Sequence, residues 1–196
     1  MIKIGLTGNI ASGKSTVAQV WRKMGAKVID VDELAHDLYR PRTKVWQQVV
    51  NVFGKDIVKA DHTINRVVLR EIVFPDKKKM KKLTRIMYPA IVKELAKQMA
   101  AAKSKVVVAD MAVLFEAKAE KLFDKIVVVR VSQFNQLKRL TEERNLTREQ
   151  AMDRINSMSF HGEKISDCDY LLDGDQSLTE FKKAAKCLYQ QMTNCF

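Results

Sequence analysis

The sequence predicts an α/β protein of three layers, in which helices cover both faces of a parallel sheet of about five strands. Its 196 residues contain short apolar runs rich in Val and Ile, separated by longer stretches with helical apolar spacing. Strands that are apolar on both faces are typical of parallel sheets covered by helices. In chain order the runs are IKIGL, KVID, KVVVAD, KIVVVRV and DYLL.

The loop after the first strand predicts nucleotide binding. Residues 8–16 read GNIASGKST and match the pattern G-x-x-x-x-G-K-[ST] between a strand and a helix. Gly8 and Gly13 let the main chain curl until successive N–H groups point at a polyanion, beside a positive helix end. Lys14 is placed to reach β- and γ-phosphates, and the Ser15 hydroxyl to bind Mg²⁺. This P-loop NTPase prediction assigns nucleotide contacts to Gly8, Asn9, Ile10, Ala11, Ser12, Gly13, Lys14, Ser15 and Thr16.

The spacing of apolar residues divides the chain into a core and two excursions within a single P-loop unit. Residues 31–104 contain WQQVVNVF, INRVVLREIVF and MKKLTRIMYPAIVKELAKQMAAA, all with helical spacing, and are predicted to form a helical substrate-binding insertion. Residues 133–165 carry several arginines and are predicted to form a helical lid. The core is then left with residues 1–30, 105–132 and 166–196.

Carboxylates follow two of the predicted strands. Asp30 and Asp32 come at the end of KVID, and a carboxylate there can accept a hydroxyl proton as a phosphoryl group arrives. One of the two can instead cap the following helix, and we assign the chemistry to Asp32. Asp110 ends KVVVAD and is expected to organise Mg²⁺ through water, the alternative being a cap for the next segment.

Composition indicates an ordinary globular protein, since 46% of the residues are hydrophobic and 30% are charged. No apolar run approaches the ~20 residues that span a bilayer, and the chain enters a strand at once, so we expect a cytoplasmic protein without a signal sequence. Cys168, Cys187 and Cys195 are odd in number and lack metal-ligand spacing. They are expected to be reduced structural thiols.

The net charge of +12 is compatible with nucleic acid, an anionic membrane or multiply phosphorylated small molecules as partners. Its densest run, DKKKMKKLTR at residues 76–85, suits a helix and lacks the interleaved aromatic residues of a single-strand binding surface. We therefore interpret it as a solvated helix face and expect neither a nucleic-acid nor a membrane partner. Oligomeric state is expected to be monomer or weak homo-oligomer.

Among nucleotide-binding proteins, a small-molecule kinase fits best. The guanine motif N-K-x-D and the switch motif D-x-x-G are absent from the sequence, which argues against a GTPase. The chain is short for a motor or helicase, whereas a helical insertion and an arginine-bearing lid suit an enzyme that closes over two substrates. The alternative is a nucleotide-controlled switch whose basic surface binds RNA or another protein.

Six segments together resemble the dephospho-coenzyme A kinase family. They are GLTGNIASGKST, VIDVDELAHDLY, INRVVLREIVF, DMAVLFE, VSQFNQLKRL and DYLLDG, and they extend almost from end to end of the chain. The resemblance implies transfer of the ATP γ-phosphate to the ribose 3′-hydroxyl of dephospho-CoA, the last step of coenzyme A biosynthesis, with ATP as co-substrate and Mg²⁺ as cofactor. A different nucleoside or nucleotide kinase of similar architecture is the alternative.

By this resemblance Asp32 is the catalytic base and Lys14 serves the phosphates. Asp110 and the loop that follows it, including Leu114, line the CoA side. Arg139 matches a lid arginine that meets the phosphates, and a guanidinium brought over the transferring group stabilises its charge in any case. Arg144 is assigned to ATP binding as the second lid arginine, although it lies five residues after Arg139, which on a continuous helix turns it about 100° beyond the usual fourth position.

Three basic residues of the insertion are assigned to substrate binding. Arg66 and Arg70 are four apart, so a helix places them on one face, where they could meet the pyrophosphate or the pantetheine of the substrate. An intrahelical ion pair with Glu71 is the alternative. His36 resembles a family position that often carries a basic residue near the substrate, whereas a lone His is more often structural.

The sequence departs from the family pattern at four places. Ala112 replaces a Pro in the DMAVLFE loop, Tyr88 precedes Pro89 where His is usual, and Arg130 stands where Asp is common. The loop that usually reads Asn-Asn-Gly, which the resemblance places near the adenine, is here residues 174–176, Gly-Asp-Gln.

Overall fold

A computed structural model describes residues 1–157 and 167–193 and confirms the predicted three-layer α/β fold. The five strands are β1 (Ile2–Gly8), β2 (Lys27–Asp30), β3 (Val106–Asp110), β4 (Lys125–Arg130) and β5 (Tyr170–Asp173). They form one parallel sheet in the order β2-β3-β1-β4-β5. The five apolar runs of the sequence therefore correspond to the five strands.

Eight helices lie in the described part of the chain. They are α1 (Lys14–Lys23), α2 (Val31–Leu38), α3 (Lys44–Phe53), α4 (Arg66–Val73), α5 (Lys77–Ala101), α6 (Gln133–Glu142), α7 (Arg148–Ser157) and α8 (Leu178–Thr193). The last part of the predicted lid, residues 158–165, lies outside the described residues, as does Cys195. Cys168 and Cys187 are free thiols.

The chain forms two compact units, residues 1–29 with 102–196, and residues 30–101. The first, which we call the nucleotide unit, contains most of the sheet, and the second, the helical unit, contains α2 to α5. The core of the nucleotide unit is formed by the apolar strands together with α1 and α8. Trp21 of α1 is fully buried there and donates from Nε1 to the main-chain oxygen of Ala185 in α8, at 2.8 Å. This bond satisfies the only polar atom of a large apolar side chain.

Inside the helical unit, side-chain caps begin three helices. Asp30 caps α2, Thr43 caps α3 and Asn65 caps α4, each accepting main-chain N–H bonds of the first turn. In α5 the buried residues follow helical spacing: Met87, Ile91, Leu95 and Met99. Lys77, Lys78, Lys79, Lys81 and Lys82 of the same helix are exposed, as expected for a solvated face.

No helix in residues 1–157 or 167–193 is long and apolar enough to cross a membrane.

An ion pair fastens the start of β5 to β4, and its effect on stability is expected to depend on pH. Asp169 accepts from Lys125 Nζ at 2.9 Å and from Ile126 N at 2.8 Å. Partial burial raises the pKa of Asp169, but these two bonds outweigh it and hold the pKa below its ordinary value. A depressed carboxyl pKa stabilises the fold above the pKa of the unfolded state, and this contribution is lost as pH falls through the folded pKa.

Asp169→Asn is therefore expected to lower the melting temperature at pH 7 and to lose this deficit toward pH 3. Thermal melts of both proteins across this pH range test the prediction. A deficit that stayed constant down to pH 3 would contradict it. The expected effect is small, since both side chains are partly exposed.

Candidate active site

The P-loop adopts a conformation that only glycine permits at two positions. Gly8 ends β1 with φ 148°, and a Cβ built there would lie 2.1 Å from the main-chain oxygen of Val129 in the adjacent strand. Gly13 precedes α1 with φ 97°, and its Cβ would lie 2.9 Å from Phe181 Cε1. The two glycines of the motif are thus required both for backbone angle and for close approach.

The loop presents hydrogen-bond donors that the protein itself does not use. Among the described residues, the main-chain N–H groups of Ala11, Gly13 and Ser15 have no acceptor. The Ser12 hydroxyl is also without a partner there, although its side chain is only 1% exposed. Unused donors around a curled loop at a helix N-terminus form an anion site.

Lys14 already points along this loop. Its Nζ donates to the main-chain oxygen of Gly8 at 3.2 Å, so the side chain folds back over the curl of the P-loop. Asn9 fixes the start of the loop by donating from Nδ2 to the main-chain oxygen of Val131, at 3.1 Å. The ammonium group is therefore held beside the unused N–H groups.

A cavity of about 310 Å³ lies against the P-loop within the nucleotide unit. Its walls come from the P-loop with α1, from the region of α6 and from the segment before and within α8. The lining residues are Ala11, Gly13, Ser15, Thr16, Arg139, Glu143, Arg144, Gln176, Leu178 and Phe181. The P-loop offers main-chain N–H groups, the region of α6 offers two arginines, and the segment around α8 offers the exposed apolar side chain of Leu178 beside the buried Phe181.

Arg139 bridges two loops at the wall of this cavity. Its guanidinium donates to the main-chain oxygen of Ala11 at 2.9 Å and to that of Gly174 at 2.6 Å. The side chain is half-buried, and its position is set by main-chain oxygens. Contacts within the protein are thus sufficient to hold the Arg139 side chain over the P-loop.

Arg144 does not lie on a continuation of α6. Helix α6 ends at Glu142, with Glu143 as its C-cap, and Asn145 has φ 51°. Arg144 therefore lies in a turn, where a helical rotation of about 100° does not apply. From this turn, Arg144 lines the same cavity as Arg139.

Strand β3 lies next to β1 in the sheet, and its carboxyl end supplies a carboxylate at the same edge as the P-loop. Asp110 pairs in register with Leu6 of β1, two residues before Gly8, and its side chain is half-buried. No group of three or more His, Cys, Asp or Glu able to hold a metal occurs in the described ranges. A site with one hydroxyl, Ser15, and one carboxylate fits Mg²⁺, which keeps several waters and binds mainly to nucleotide phosphates.

The loop after β3, which was predicted to line the CoA side, has a buried side chain at Leu114. Leu114 is fully buried, and its Cδ1 packs so closely on Gly5 that a Cβ there would lie 2.6 Å away. Leu114 can thus support a substrate-binding loop but offers no surface to a ligand. The main-chain oxygen of Ala112 accepts from Thr7 Oγ1 at 3.4 Å, which ties the loop to β1.

In the helical unit, Asp30 and Asp32 have different environments. The Asp30 carboxylate accepts from Asp32 N at 2.9 Å and from Glu33 N at 3.0 Å, so Asp30 is the N-cap of α2. The Asp32 carboxylate is exposed and makes no hydrogen bond or ion pair within the residues described. The capping alternative thus applies to Asp30, and the Asp32 side chain remains available for chemistry.

A second cavity, of about 430 Å³, lies within the helical unit and is rich in basic groups. The Arg66 guanidinium lies against the His36 imidazole, with Nη2 and Nδ1 2.8 Å apart. Burial raises the pKa of Tyr39 to about 12, and the charge of Arg66 acts in the opposite direction. The cavity is lined by His36, Tyr39, Arg40, Pro41, Lys59, Thr63, Ile64, Asn65, Arg66 and Val67.

Arg70 does not join this cavity. Its guanidinium carbon lies 6.0 Å from the centroid of the Phe74 ring, a cation–π contact one turn further along α4. Neither the joint site with Arg66 nor an ion pair to Glu71 is found in the described residues. Helical spacing placed the two arginines on one face, but it could not show which neighbours each would meet.

Comparison with known proteins decides the family. The family model described as dephospho-CoA kinase matches residues 2–180. A relative named dephospho-CoA kinase from Listeria innocua is 38% identical over 194 residues, which cover 97% of each chain. The chain belongs to the dephospho-CoA kinase family. Another relative with this name, from Aquifex aeolicus, is 36% identical over 194 residues and 98% of each chain.

Solved structures agree with this family assignment. A dephospho-CoA kinase from Campylobacter jejuni superposes with a TM-score of 0.74 at 26% identity, covering 98% of this chain and 97% of that one. Shikimate kinase from Acinetobacter baumannii reaches a TM-score of 0.59 at 13% identity, covering 99% and 94%, and shows a shared fold alone. The dephospho-CoA kinase family makes the chain an ATP-dependent kinase, and the kinase class predicted from the sequence is confirmed.

In this family member, sequence reasoning did not assign Leu178 and Phe181 to the nucleotide cavity, whereas Gln176 belongs to the loop that the resemblance places near the adenine. Phe181 lies more than 160 positions after the P-loop, and the sequence gives no local sign that α8 approaches Gly13. The nearest sequence signal was the resemblance at residues 174–176, which precede Leu178 and Phe181 but do not show which side chains of α8 reach the P-loop.

Substitution of Gly174 is expected to weaken ATP binding by this family member. A Cβ at Gly174 would lie 2.5 Å from the Ser12 oxygen and 2.9 Å from the Arg130 oxygen, both main-chain atoms. Gly174→Ala must therefore displace the P-loop or β4, and overpacking of this kind costs about 1–3 kcal/mol. We expect ATP affinity to fall at least about tenfold, measured by calorimetry.

Gly25→Ala is the matched control for this substitution. Gly25 has φ 99°, but nothing lies within 4 Å of its Cβ position. Its substitution should cost stability through backbone strain, about 1–2 kcal/mol, and leave ATP affinity unchanged. Equal losses of ATP affinity in both variants would mean that steric pressure on the P-loop is not the cause.

Proposed function

We propose that this chain transfers the γ-phosphate of ATP to the ribose 3′-hydroxyl of dephospho-CoA, giving CoA and ADP in the last step of coenzyme A biosynthesis. The observation that carries the proposal is the P-loop cavity of the nucleotide unit, with unused N–H donors and two arginines, in a chain matched by the family from residue 2 to 180. We also propose that the protein acts in the cytoplasm. Its proposed oligomeric state is a monomer or weak homo-oligomer.

The nucleotide unit binds and orients ATP in this proposal. Main-chain N–H groups of residues 8–16 and the Lys14 ammonium bind the β- and γ-phosphates, and Arg139 and Arg144 neutralise charge at the cavity wall. Leu178, which is exposed and lies beside the buried Phe181, offers an apolar surface for the adenine. Ser15 and, through water, Asp110 would hold Mg²⁺, which would supply further charge neutralisation on the phosphoryl oxygens.

Asp32 takes the proton of the acceptor hydroxyl in this proposal. Two features support the role: its carboxylate has no partner in the described part of the chain, and Asp30 already satisfies the N–H groups at the start of α2. A carboxylate that is not engaged in capping can orient the hydroxyl and accept its proton as the new P–O bond forms.

The basic cavity of the helical unit binds the anionic part of the acceptor. His36 and Arg66 contact each other there, and Arg40 and Lys59 add positive charge at its edge. Tyr39 stays protonated at neutral pH, because its pKa is about 12, and can donate a hydrogen bond to a phosphate. Arg70 does not line this cavity, and we keep it in the proposal as an acceptor contact on the side of α4 where Phe74 lies.

The experiment that tests this function is a coupled assay with ATP, Mg²⁺ and one acceptor at a time. Dephospho-CoA is compared with AMP, with CMP and with no acceptor, and the product is identified by mass as the 3′-phosphate. We expect ADP release that requires dephospho-CoA and yields CoA. Transfer to AMP or CMP alone would favour the nucleotide-kinase alternative, and ATP binding without transfer to any acceptor would favour the switch.

A further inference from the structure

The loop between β5 and α8 is joined to the start of α6 by one carboxylate. Asp175 accepts four hydrogen bonds from residues that precede it by 40 to 43 positions. Ser132 N donates to Oδ1 and Oδ2 at 3.0 and 2.9 Å, Ser132 Oγ donates to Oδ1 at 2.8 Å, and Asn135 Nδ2 donates to Oδ1 at 2.7 Å. We call these three residues the Asp175 network.

This network has a direct connection to Arg139. Ser132 is the N-cap of α6, the helix that carries Arg139, and its hydroxyl also accepts from Asn135 N. At the other side of the network, the residue before Asp175 is Gly174, whose main-chain oxygen accepts from Arg139 Nη2 at 2.6 Å. The backbone of Arg139 and the oxygen that receives its guanidinium are therefore both fastened by the same carboxylate.

We propose that Asp175 is a positioning residue for ATP binding, which holds the guanidinium of Arg139 over the P-loop by fixing the β5–α8 loop to the N-terminus of α6. The Gly174 N–H donates to the Arg130 oxygen at 2.6 Å and ties the loop to β4, and the Asp175 network then fixes this loop relative to the start of α6. Without the network, α6 and the Gly174 loop could shift relative to each other, and the two acceptors of the Arg139 guanidinium, on Ala11 and Gly174, would lose their fixed spacing. ATP would then meet an arginine that must first be ordered.

A carboxylate suits this position for two further reasons. It lies at the N-terminus of α6, where the helix dipole favours negative charge. Partial burial raises the pKa of Asp175, but hydrogen bonds from Asn135 and Ser132 outweigh it and, with the charge of Arg139, keep the pKa below its ordinary value. The side chain is thus ionised at neutral pH and accepts all four bonds at once.

The test measures ATP affinity by calorimetry in the presence of Mg²⁺ and without an acceptor. The inference rests on the proposed function only in taking the 310 Å³ cavity as the ATP site, so an error in the acceptor leaves the test intact. Asp175→Ala is expected to bind ATP about tenfold more weakly, in line with lost hydrogen bonds to a charged group. Asp175→Asn keeps one acceptor oxygen and should recover part of this loss.

A double-mutant cycle separates positioning from general support of the fold. In an Arg139→Ala background, Asp175→Ala should change ATP affinity less than about twofold, because the side chain that it positions is already gone. Asp169→Asn is the matched control, since Asp169 fastens the other end of β5 with comparable bonds and is remote from the cavity lining. It should leave ATP affinity unchanged.

Asn135→Ala covers the case in which Asp175→Ala fails to fold. It removes the 2.7 Å bond to Asp175 and leaves the Ser132 cap in place, so a smaller loss of ATP affinity is expected. Equal ATP affinity of Asp175→Ala and wild type, or full additivity with Arg139→Ala, would overturn the inference while leaving the proposed function standing. A wild-type protein that binds no ATP would overturn both.

Discussion

Lys14→Ala is expected to reduce kcat by about 10²–10³-fold, with weaker ATP binding. The ammonium is held at the P-loop by its bond to the Gly8 oxygen, among N–H groups of Ala11, Gly13 and Ser15 that have no acceptor in the described residues. Charge on the transferring phosphoryl group would then lose the ammonium of the P-loop, and the remaining N–H groups compensate only in part. Steady-state kinetics with dephospho-CoA as acceptor measure the effect.

Lys23→Ala provides the control for Lys14→Ala. Lys23 lies in the last turn of the same helix, is exposed and does not line the nucleotide cavity. It removes the same charge from α1 and should leave kcat and the KM for ATP within about twofold of wild type. If both lysine variants lost activity equally, the effect would reflect the overall charge of the unit and the role of Lys14 would be wrong.

The P-loop could be predicted from sequence because its chemistry is local. Within nine consecutive residues, two glycines set the backbone, one lysine carries the charge, and the preceding apolar run predicts the strand that delivers them. The five strands were equally accessible, since an apolar run of four to eight residues predicts a buried strand from its own composition. Gly8 and Gly13 are also required because a side chain there would clash with Val129 and Phe181, and these distant contacts cannot be seen in a local pattern.

The walls of the nucleotide cavity could not be predicted in the same way. Arg144 was assigned to ATP binding, but helical spacing could not give its position, because α6 stops at Glu142 and helix ends depend on capping and tertiary contacts more than on periodicity. Leu114 was assigned to a substrate loop by resemblance, whereas its side chain fills the space above Gly5. Contacts between distant segments decide both cases.

Substitution of Asp32 is expected to have the other large effect. Asp32→Asn should lower kcat by about 10²–10⁴-fold, the usual range for loss of a general base. ATP affinity and melting temperature should stay close to wild type, because the Asp32 carboxylate makes no side-chain bond among the described residues. Kinetics, calorimetry and thermal melts of one preparation give the three values.

Two neighbouring carboxylates make the Asp32 test specific. Glu33→Gln removes an exposed charge from the same turn of α2, so it controls for a change in the field at the helix N-terminus. Asp30→Asn keeps the cap, since Asn caps helices as well as Asp does, and should keep activity. If Asp30→Asn abolished transfer and Asp32→Asn did not, the N-cap of α2 would itself be the base, and the assignment of the two carboxylates would have to be exchanged.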